Sequence, residues 1–202
     1  MKKNNAIIFI VTLVLLDQIL KIWIKTNMSL GEYITVFPNW FQLRFIENNG
    51  AAFGMQISSG GGFDWGKLLL SLFRVGLIAM LSIYLRGLLR GEKPDNRVVI
   101  PIALIIAGAV GNMIDCAFYG LIFTESTPFQ VAEWGGGYAP LMMGKVVDMF
   151  YFPLFQWNSV PDALRFLVDG NNYFFGAIFN LADSYISVAF VLVVIFNKHI
   201  FK

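Results

Sequence analysis

Four aspartates are the residues of this sequence best suited to chemistry. Asp17, Asp115 and Asp183 lie in long apolar stretches, and Asp148 lies in a hydrophobic loop between two of them. A carboxylate near the centre of a bilayer costs about 2.5–3.5 kcal/mol even on the mildest scale, so such residues face a protein interior or a cavity. Two acids a few ångströms apart cannot both ionise, so one keeps its proton while the other acts as a base. Such a pair can activate water against a peptide bond without a metal or a covalent nucleophile.

Two of the acids also have a structural interpretation. Lys21 follows Asp17 at i+4 on the same helical face, which is typical of an ion pair that fixes one helix in a bundle. Asp115 follows Asn112 by three residues, a pattern that fits a packing group or an anchor for a loop. These two acids are therefore expected to support a site more than to perform its chemistry.

The other two acids favour a catalytic interpretation. Asp183 and Asn180 form a polar pair in an apolar span that contains no lysine or arginine, and Asp183 is predicted about ten residues into that span. Asp148 alone fits a solvated loop acid, since aspartates are common at surfaces. Its catalytic interpretation therefore depends on a second carboxylate nearby.

Cysteine and histidine chemistry is nearly excluded. The sequence contains one cysteine, Cys116, and one histidine, His199, which the predicted topology places on opposite sides of a membrane. Neither a Ser–His–Asp nor a Cys–His arrangement can form across that distance. We expect no metal and no cofactor.

The elements that position these acids are predicted to be membrane helices. The 202 residues are 57% apolar and 14% charged, with a mean hydropathy of +0.65, and the net charge of +2 is too small to indicate a nucleic-acid partner. A helix needs roughly 20 apolar residues to cross a bilayer. Four stretches qualify, approximately Ala6–Ile24, Leu68–Leu89, Val98–Tyr119 and Tyr173–Phe196.

Lysine and arginine indicate the orientation of these spans. They are concentrated in the short connection 86–97 and at both termini, which places the termini and that connection in the cytoplasm. The segments 26–66 and 120–172 then lie outside. Tyr33–Phe37 and Trp40–Ile46, around Pro38-Asn39, have the composition of strands. The predicted fold is an all-α membrane protein, a four-helix transmembrane bundle with a small extracytoplasmic β-sheet, formed by residues 1–202 as a single domain.

Five short motifs contain most of the polar residues discussed above. They are Asp17-Gln-Ile-Leu-Lys21, Glu47-Asn48-Asn-Gly50-Ala-Ala-Phe53-Gly54, Gly111-Asn112-Met-Ile-Asp115, Val147-Asp148-Met-Phe and Phe179-Asn180-Leu-Ala-Asp183. In this order and on these sides of the membrane, they resemble the motifs of the lipoprotein signal peptidases (signal peptidase II). The resemblance extends along nearly the whole chain.

The resemblance implies roles for individual residues. Asp148 and Asp183 would be the catalytic dyad of an aspartic endopeptidase. Substrate contact or support of the site would fall to Asp17, Lys21, Asn48, Gly50, Phe53, Asn112, Asp115 and Asn180. The implied substrate is a prolipoprotein cut just before its diacylglyceryl cysteine. The implied setting is the bacterial inner membrane, in contact with membrane lipid, with the site toward the periplasmic face and the enzyme a monomer.

The sequence departs from the family pattern in two places. The family usually has arginine directly after G-N-x-x-D, where this chain has Cys116. The contribution of that guanidinium is therefore either absent or supplied by another residue. The candidates are Arg44, Arg74 and Lys145. The stretch between Asp115 and Asp148 is also longer than usual, and the sequence leaves open whether it forms a lid or an interfacial contact.

Two hypotheses from other classes compete with the peptidase. Buried acids also form the relays of proton-coupled transporters, but the sequence has neither an internal repeat nor broken helices. A non-enzymatic factor that binds lipoproteins would tolerate replacement of Asp183 by asparagine. A cleavage assay separates these three hypotheses.

Overall fold

Long apolar helices form the framework of the structure. The computed structural model describes residues 1–48, 64–91, 94–168, 170, 172–174 and 176–196. The helices are α1 (Lys3–Asn27), α2 (Trp65–Leu88), α3 (Asn96–Ile114), α4 (Gly120–Ile122) and α5 (Leu181–Ile195), with a π-helical segment, Asp115–Tyr119, joining α3 to α4. Within the described ranges, α1, α2 and the continuous Asn96–Ile122 helix are long and apolar enough to cross a membrane. Helices are therefore present where the first three spans were predicted, and the crossing of a membrane stays a prediction.

The fourth predicted span differs from the structure at its start. It was expected to begin near Tyr173, but α5 begins at Leu181 and has 15 residues, short of the roughly 20 that cross a bilayer. Asn180 is the reason, because its side chain accepts from the Asp183 backbone N–H while the Asp183 side chain accepts from the Asn180 N–H. This capping box ends the extended chain and starts the helix. Asp183 therefore lies in the first helical turn, and its predicted position ten residues into the helix was wrong.

Helix α3 forms the centre of the bundle and contacts α1, α2 and α5. Two of its glycines allow α5 to begin directly against it. A Cβ at Gly108 would lie 2.4 Å from the carbonyl oxygen of Ala182, and one at Gly111 would lie 2.6 Å from Asp17 Oδ2. The absence of these side chains lets α1, α3 and the first turn of α5 meet at one place.

A three-stranded antiparallel sheet lies beside the helices, in the order β1 (Tyr33–Phe37), β2 (Phe41–Asn48) and β3 (Val146–Tyr151). The two predicted strands are confirmed as a hairpin, and Asn39 adopts the left-handed conformation at its turn, with φ 71°. The placement of Asp148 in a loop was wrong, because it pairs with Ile46 of β2 inside β3. Both faces of β3 are covered, so its sequence lacks the alternation that marks a half-exposed strand.

An apolar core joins the sheet to the ends of α1 and of the α3–α4 helix. Its fully buried members come from α1, the sheet, the π-helical segment and the segment 123–145: Ile24, Met28, Phe45, Tyr119, Phe123, Ala132, Val147 and Met149. The core holds β3 against the helices close to the start of α5. Asp148 and Asp183, 35 residues apart in sequence, are thereby brought into one region.

Candidate active site

Asp148 is held by two asparagine side chains. Its side chain is 2% exposed, and its two carboxylate oxygens accept from different donors. Asn180 Nδ2 donates to Oδ1 at 2.6 Å, and Asn48 Nδ2 of β2 donates to Oδ2. The carboxyl group is therefore fixed by the strand next to it and by the cap of α5.

The same asparagines connect Asp148 to Asp183. Asn180 Nδ2 also lies 3.0 Å from Asn112 Oδ1, and Asn112 Nδ2 donates to Asp183 Oδ1 at 2.8 Å. Asp183 Oδ2 accepts from the Asn180 backbone N–H at 3.4 Å. Asn180 thus contacts both acids, and Asn112 completes the chain of hydrogen bonds between them.

Lys21 provides the positive charge of this region. Its Nζ lies 3.0 Å from Asp17 Oδ2, 2.9 Å from Asp115 Oδ2 and 2.8 Å from Asn112 Oδ1. The side chains of Lys21, Asp17 and Asp115 are all fully buried. The expected ion pair on α1 is therefore present, and it is extended by the Asn112 amide of α3 and by Asp115, the first residue of the π-helical segment.

Asp17 and Asp115 also accept hydrogen bonds from backbone N–H groups next to Asp183 and Asp148. Asp17 Oδ1 accepts from the N–H of Ala182 at 2.9 Å, one residue before Asp183. Asp115 Oδ2 accepts from the N–H of Val147 at 3.2 Å, one residue before Asp148. Each buried acid thus fixes the main chain beside one member of the pair.

Gln18 is a part of the site whose role the sequence did not reveal. Its Nε2 donates to Asp115 Oδ1 at 2.9 Å and to the Gly111 carbonyl at 3.1 Å, and its Oε1 accepts from the Tyr119 hydroxyl at 3.1 Å. Its sequence signals were its place in the Asp17-Gln-Ile-Leu-Lys21 motif and its uncharged polar side chain in an apolar helix, and neither revealed its partners. Gln18 supplies donors that two carboxylates sharing one lysine require.

The electrostatics of the pair favour a single proton. Burial raises the pKa of the Asp148 carboxyl to about 7, and the nearby charge of Asp183 acts in the same direction. Asp183 is more exposed than Asp148. One acid of the pair therefore holds a proton near neutral pH, as a catalytic carboxyl pair requires.

The remaining predicted residues divide into three groups. Gly50 and Phe53 lie outside the described residues. Arg74 is the candidate cation that contacts Cys116, because its Nη1 lies 3.4 Å from Cys116 Sγ. Arg44 instead stacks over the Tyr151 ring at 5.8 Å, and Lys145 pairs with Glu125 at 3.0 Å.

Comparison with solved structures supports the fold. Two structures, each described as a bacterial membrane enzyme determined by the in meso method, superpose with TM-scores of 0.60 and 0.62. They are 23% and 22% identical in sequence, each match covers 96% of this chain, and 87% and 92% of the other chains are covered. The fold is that of a membrane enzyme with apolar helices and a small antiparallel sheet.

Sequence comparison gives the family. Residues 9–198 match the family described as signal peptidase (SPase) II. A lipoprotein signal peptidase of Porphyromonas gingivalis is 42% identical over 92% of this chain and 79% of its own length, and one of Amoebophilus asiaticus is 32% identical over 90% and 72%. The chain belongs to the signal peptidase II family and is an aspartic peptidase.

The raised pKa of Asp148 predicts a pH-dependent stability. Its folded-state value of about 7 exceeds the ordinary value of 3.8, so the folded protein binds the extra proton between these limits. The protonated Asp148 carboxyl stabilises the folded protein at low pH. This contribution to the free energy of unfolding, roughly 4 kcal/mol in all, is lost as the pH rises through about 7. The unfolding temperature, measured in detergent, should therefore fall more steeply from pH 4 to pH 8 for wild type than for Asp148→Asn.

The matched control is Asp162→Asn, which changes an aspartate whose side chain is 96% exposed. Its unfolding temperature should follow that of wild type at every pH. Parallel curves for wild type and Asp148→Asn would contradict the raised pKa.

Proposed function

We propose that the protein removes the signal peptide from diacylglyceryl-modified prolipoproteins, cutting just before the lipidated cysteine. The observation that carries the proposal is the pair Asp148 and Asp183, joined through Asn180 and Asn112, with the pKa of Asp148 near neutrality. The substrate class comes from the names of the relatives, which are lipoprotein signal peptidases.

The chemistry follows from the different surroundings of the two acids. Asp183, the more exposed acid, removes a proton from water, whose oxygen attacks the scissile carbonyl carbon, and Asp148 gives its proton to the carbonyl oxygen. The tetrahedral diol then collapses. Asp148 recovers a proton from a diol hydroxyl, Asp183 gives its proton to the leaving nitrogen, and the C–N bond breaks. Both acids return to their starting states, so no other group is consumed.

The remaining residues have positioning roles in this proposal. Asn48, Asn112 and Asn180 hold the carboxyl groups at hydrogen-bond distance. The buried ions Asp17, Lys21 and Asp115 hold the helices and the backbone behind them. Gly50 and Phe53, by family resemblance, contact the substrate.

We also propose a membrane arrangement for this single domain. Helix α5 is the fourth span, its 15 residues accommodated by local thinning of the bilayer, and both termini lie in the cytoplasm. The sheet and the carboxyl pair then face the periplasm at the outer surface of the inner membrane. Exposed aromatic residues on the sheet, Tyr33, Phe37 and Trp40, support a position at the lipid interface. A site at that depth can receive a lipidated peptide laterally from the bilayer.

Replacing either acid of the pair tests the proposal directly. Asp148→Asn and Asp183→Asn should each reduce cleavage of a purified lipidated prolipoprotein to background, because each role needs an ionisable carboxyl. Binding of the substrate should persist, and Asp162→Asn should cleave at the wild-type rate. Turnover by either variant of the pair would overturn the assignment.

We further propose that Arg74 replaces the arginine that the family usually has at the position of Cys116. The contact between Arg74 Nη1 and Cys116 Sγ supports this, because it brings a guanidinium from α2 to that position. An arginine at either position would then serve the same site.

Moving the charge tests this replacement. Arg74→Ala should reduce cleavage, and the double variant Arg74→Ala/Cys116→Arg should recover much of the loss. Arg86→Ala, an exposed arginine on the same helix, is the control and should leave cleavage unchanged. Full activity of Arg74→Ala, or a double variant no better than the single one, would refute the replacement.

A further inference from the structure

A second buried ionic cluster lies outside the carboxyl pair. Lys25, near the end of α1, is fully buried, and its Nζ donates to Glu47 of β2 and to Ser126 Oγ at 2.9 Å. Ser126 Oγ in turn donates to Glu47 Oε1 at 3.0 Å. The rings of Tyr138 and Phe123 lie 5.1 and 5.5 Å from the ammonium. The Lys25–Glu47–Ser126 cluster therefore closes a triangle of hydrogen bonds beside two aromatic rings, with Lys145 Nζ 4.0 Å from Glu47 Oε2.

This cluster joins three separate parts of the chain. Lys25 belongs to α1, Glu47 to β2, and Ser126 to the long segment 123–145 that precedes β3. The hydration that two ions lose on burial offsets much of their Coulomb attraction, so a buried ion pair is weak evidence for stability. Such a cluster does fix the relative positions of the elements that carry it, because each buried ion is favourable only in contact with its partner.

The position that the cluster defines is that of Asn48. Glu47 and Asn48 are neighbours in β2, paired with Val147 and Val146 of β3. Successive side chains of a strand point to opposite faces, so fixing Glu47 on one face fixes Asn48 on the other. Asn48 Nδ2 donates to Asp148 Oδ2 on that second face.

We propose that Lys25 and Ser126 are positioning residues for the Asn48–Asp148 hydrogen bond. The segment 123–145 then acts on the site through Glu47, in addition to any contact with substrate. The inference rests on the catalytic role proposed for Asp148. It assigns a function to the long stretch before β3 that the sequence left open between a lid and an interfacial contact.

The pH profile of cleavage distinguishes positioning from simple support. A donor on a carboxylate favours its ionised form, so a loosened Asn48 raises the pH at which Asp148 loses its proton. The other charged groups that act on Asp148 are Asp183 of α5, Lys21 of α1 and Asp115 of the π-helical segment. None of them contacts Lys25 or Ser126 through a hydrogen bond recorded among the described residues. In Ser126→Ala, which removes no charge, a shift of the alkaline limb therefore reports on Asn48.

The experiment compares Ser126→Ala, Lys25→Met and Lys25→Arg in the full-length protein, with kcat and KM measured across pH. Ser126→Ala should lower kcat about tenfold, the effect of one hydrogen bond of ordinary strength, and move the alkaline limb to higher pH with little change in KM. Lys25→Met should have a larger effect in the same direction, and Lys25→Arg should recover part of it. Thr127→Ala, which removes a hydroxyl from the next residue, is the matched control and should behave as wild type.

Wild-type kcat and pH profile in Ser126→Ala would overturn the inference. A lower unfolding temperature with an unchanged pH profile would also overturn it, because the cluster would then be structural only. If Lys25→Met does not fold, Ser126→Ala decides alone. Inactive Asp148→Asn together with unaffected Ser126→Ala would refute this inference and leave the proposed function standing, whereas active Asp148→Asn would refute the function itself.

Discussion

The rest of the site depends on the ion pairs that the Lys21 ammonium forms with Asp17 and Asp115. Two carboxylates, Asp17 and Asp115, are fully buried on either side of the ammonium, and without this cation both would lack their partner of opposite charge in an apolar bundle. Each acid also holds a backbone N–H beside the carboxyl pair. Asp17 accepts from Ala182 through Oδ1, and Asp115 accepts from Val147 through the Oδ2 that also binds Lys21. One positive charge thus fixes α1 against the starts of both elements that carry the pair.

Asparagine is well suited to the space between the acids, because its side chain both donates and accepts. Asn180 caps α5 with its oxygen and reaches Asp148 with its nitrogen, while Asn112 receives from Asn180 and donates to Asp183. Three amides, including that of Asn48, therefore replace the water that would otherwise solvate the pair. Neutral donors can hold both carboxyl groups in place without adding a full positive charge beside them, which would lower the pKa of Asp148.

Sequence reasoning found the groups whose burial is costly and missed those that only the folded chain brings together. Acids and a lysine in apolar stretches stand out because lipid penalises charge, and the strands around Pro38-Asn39 stand out by composition. The start of α5 was misplaced because residues 173–179 are as apolar as the helix, and only the Asn180–Asp183 capping box marks the boundary. The pairing of Lys25 with Glu47 gave no signal, although Glu47 begins one of the five motifs, because that pairing depends on a sheet that no local pattern positions against α1.

The most direct test is the replacement of Lys21 by methionine, which keeps most of the length of the side chain and removes its charge. Breaking one side of a buried ion pair typically costs about 3–5 kcal/mol, so Lys21→Met should unfold at a much lower temperature and lose prolipoprotein cleavage. Lys3→Met, an exposed lysine at the start of the same helix, should change neither property. Wild-type stability together with wild-type cleavage in Lys21→Met would contradict the central role given to this charge.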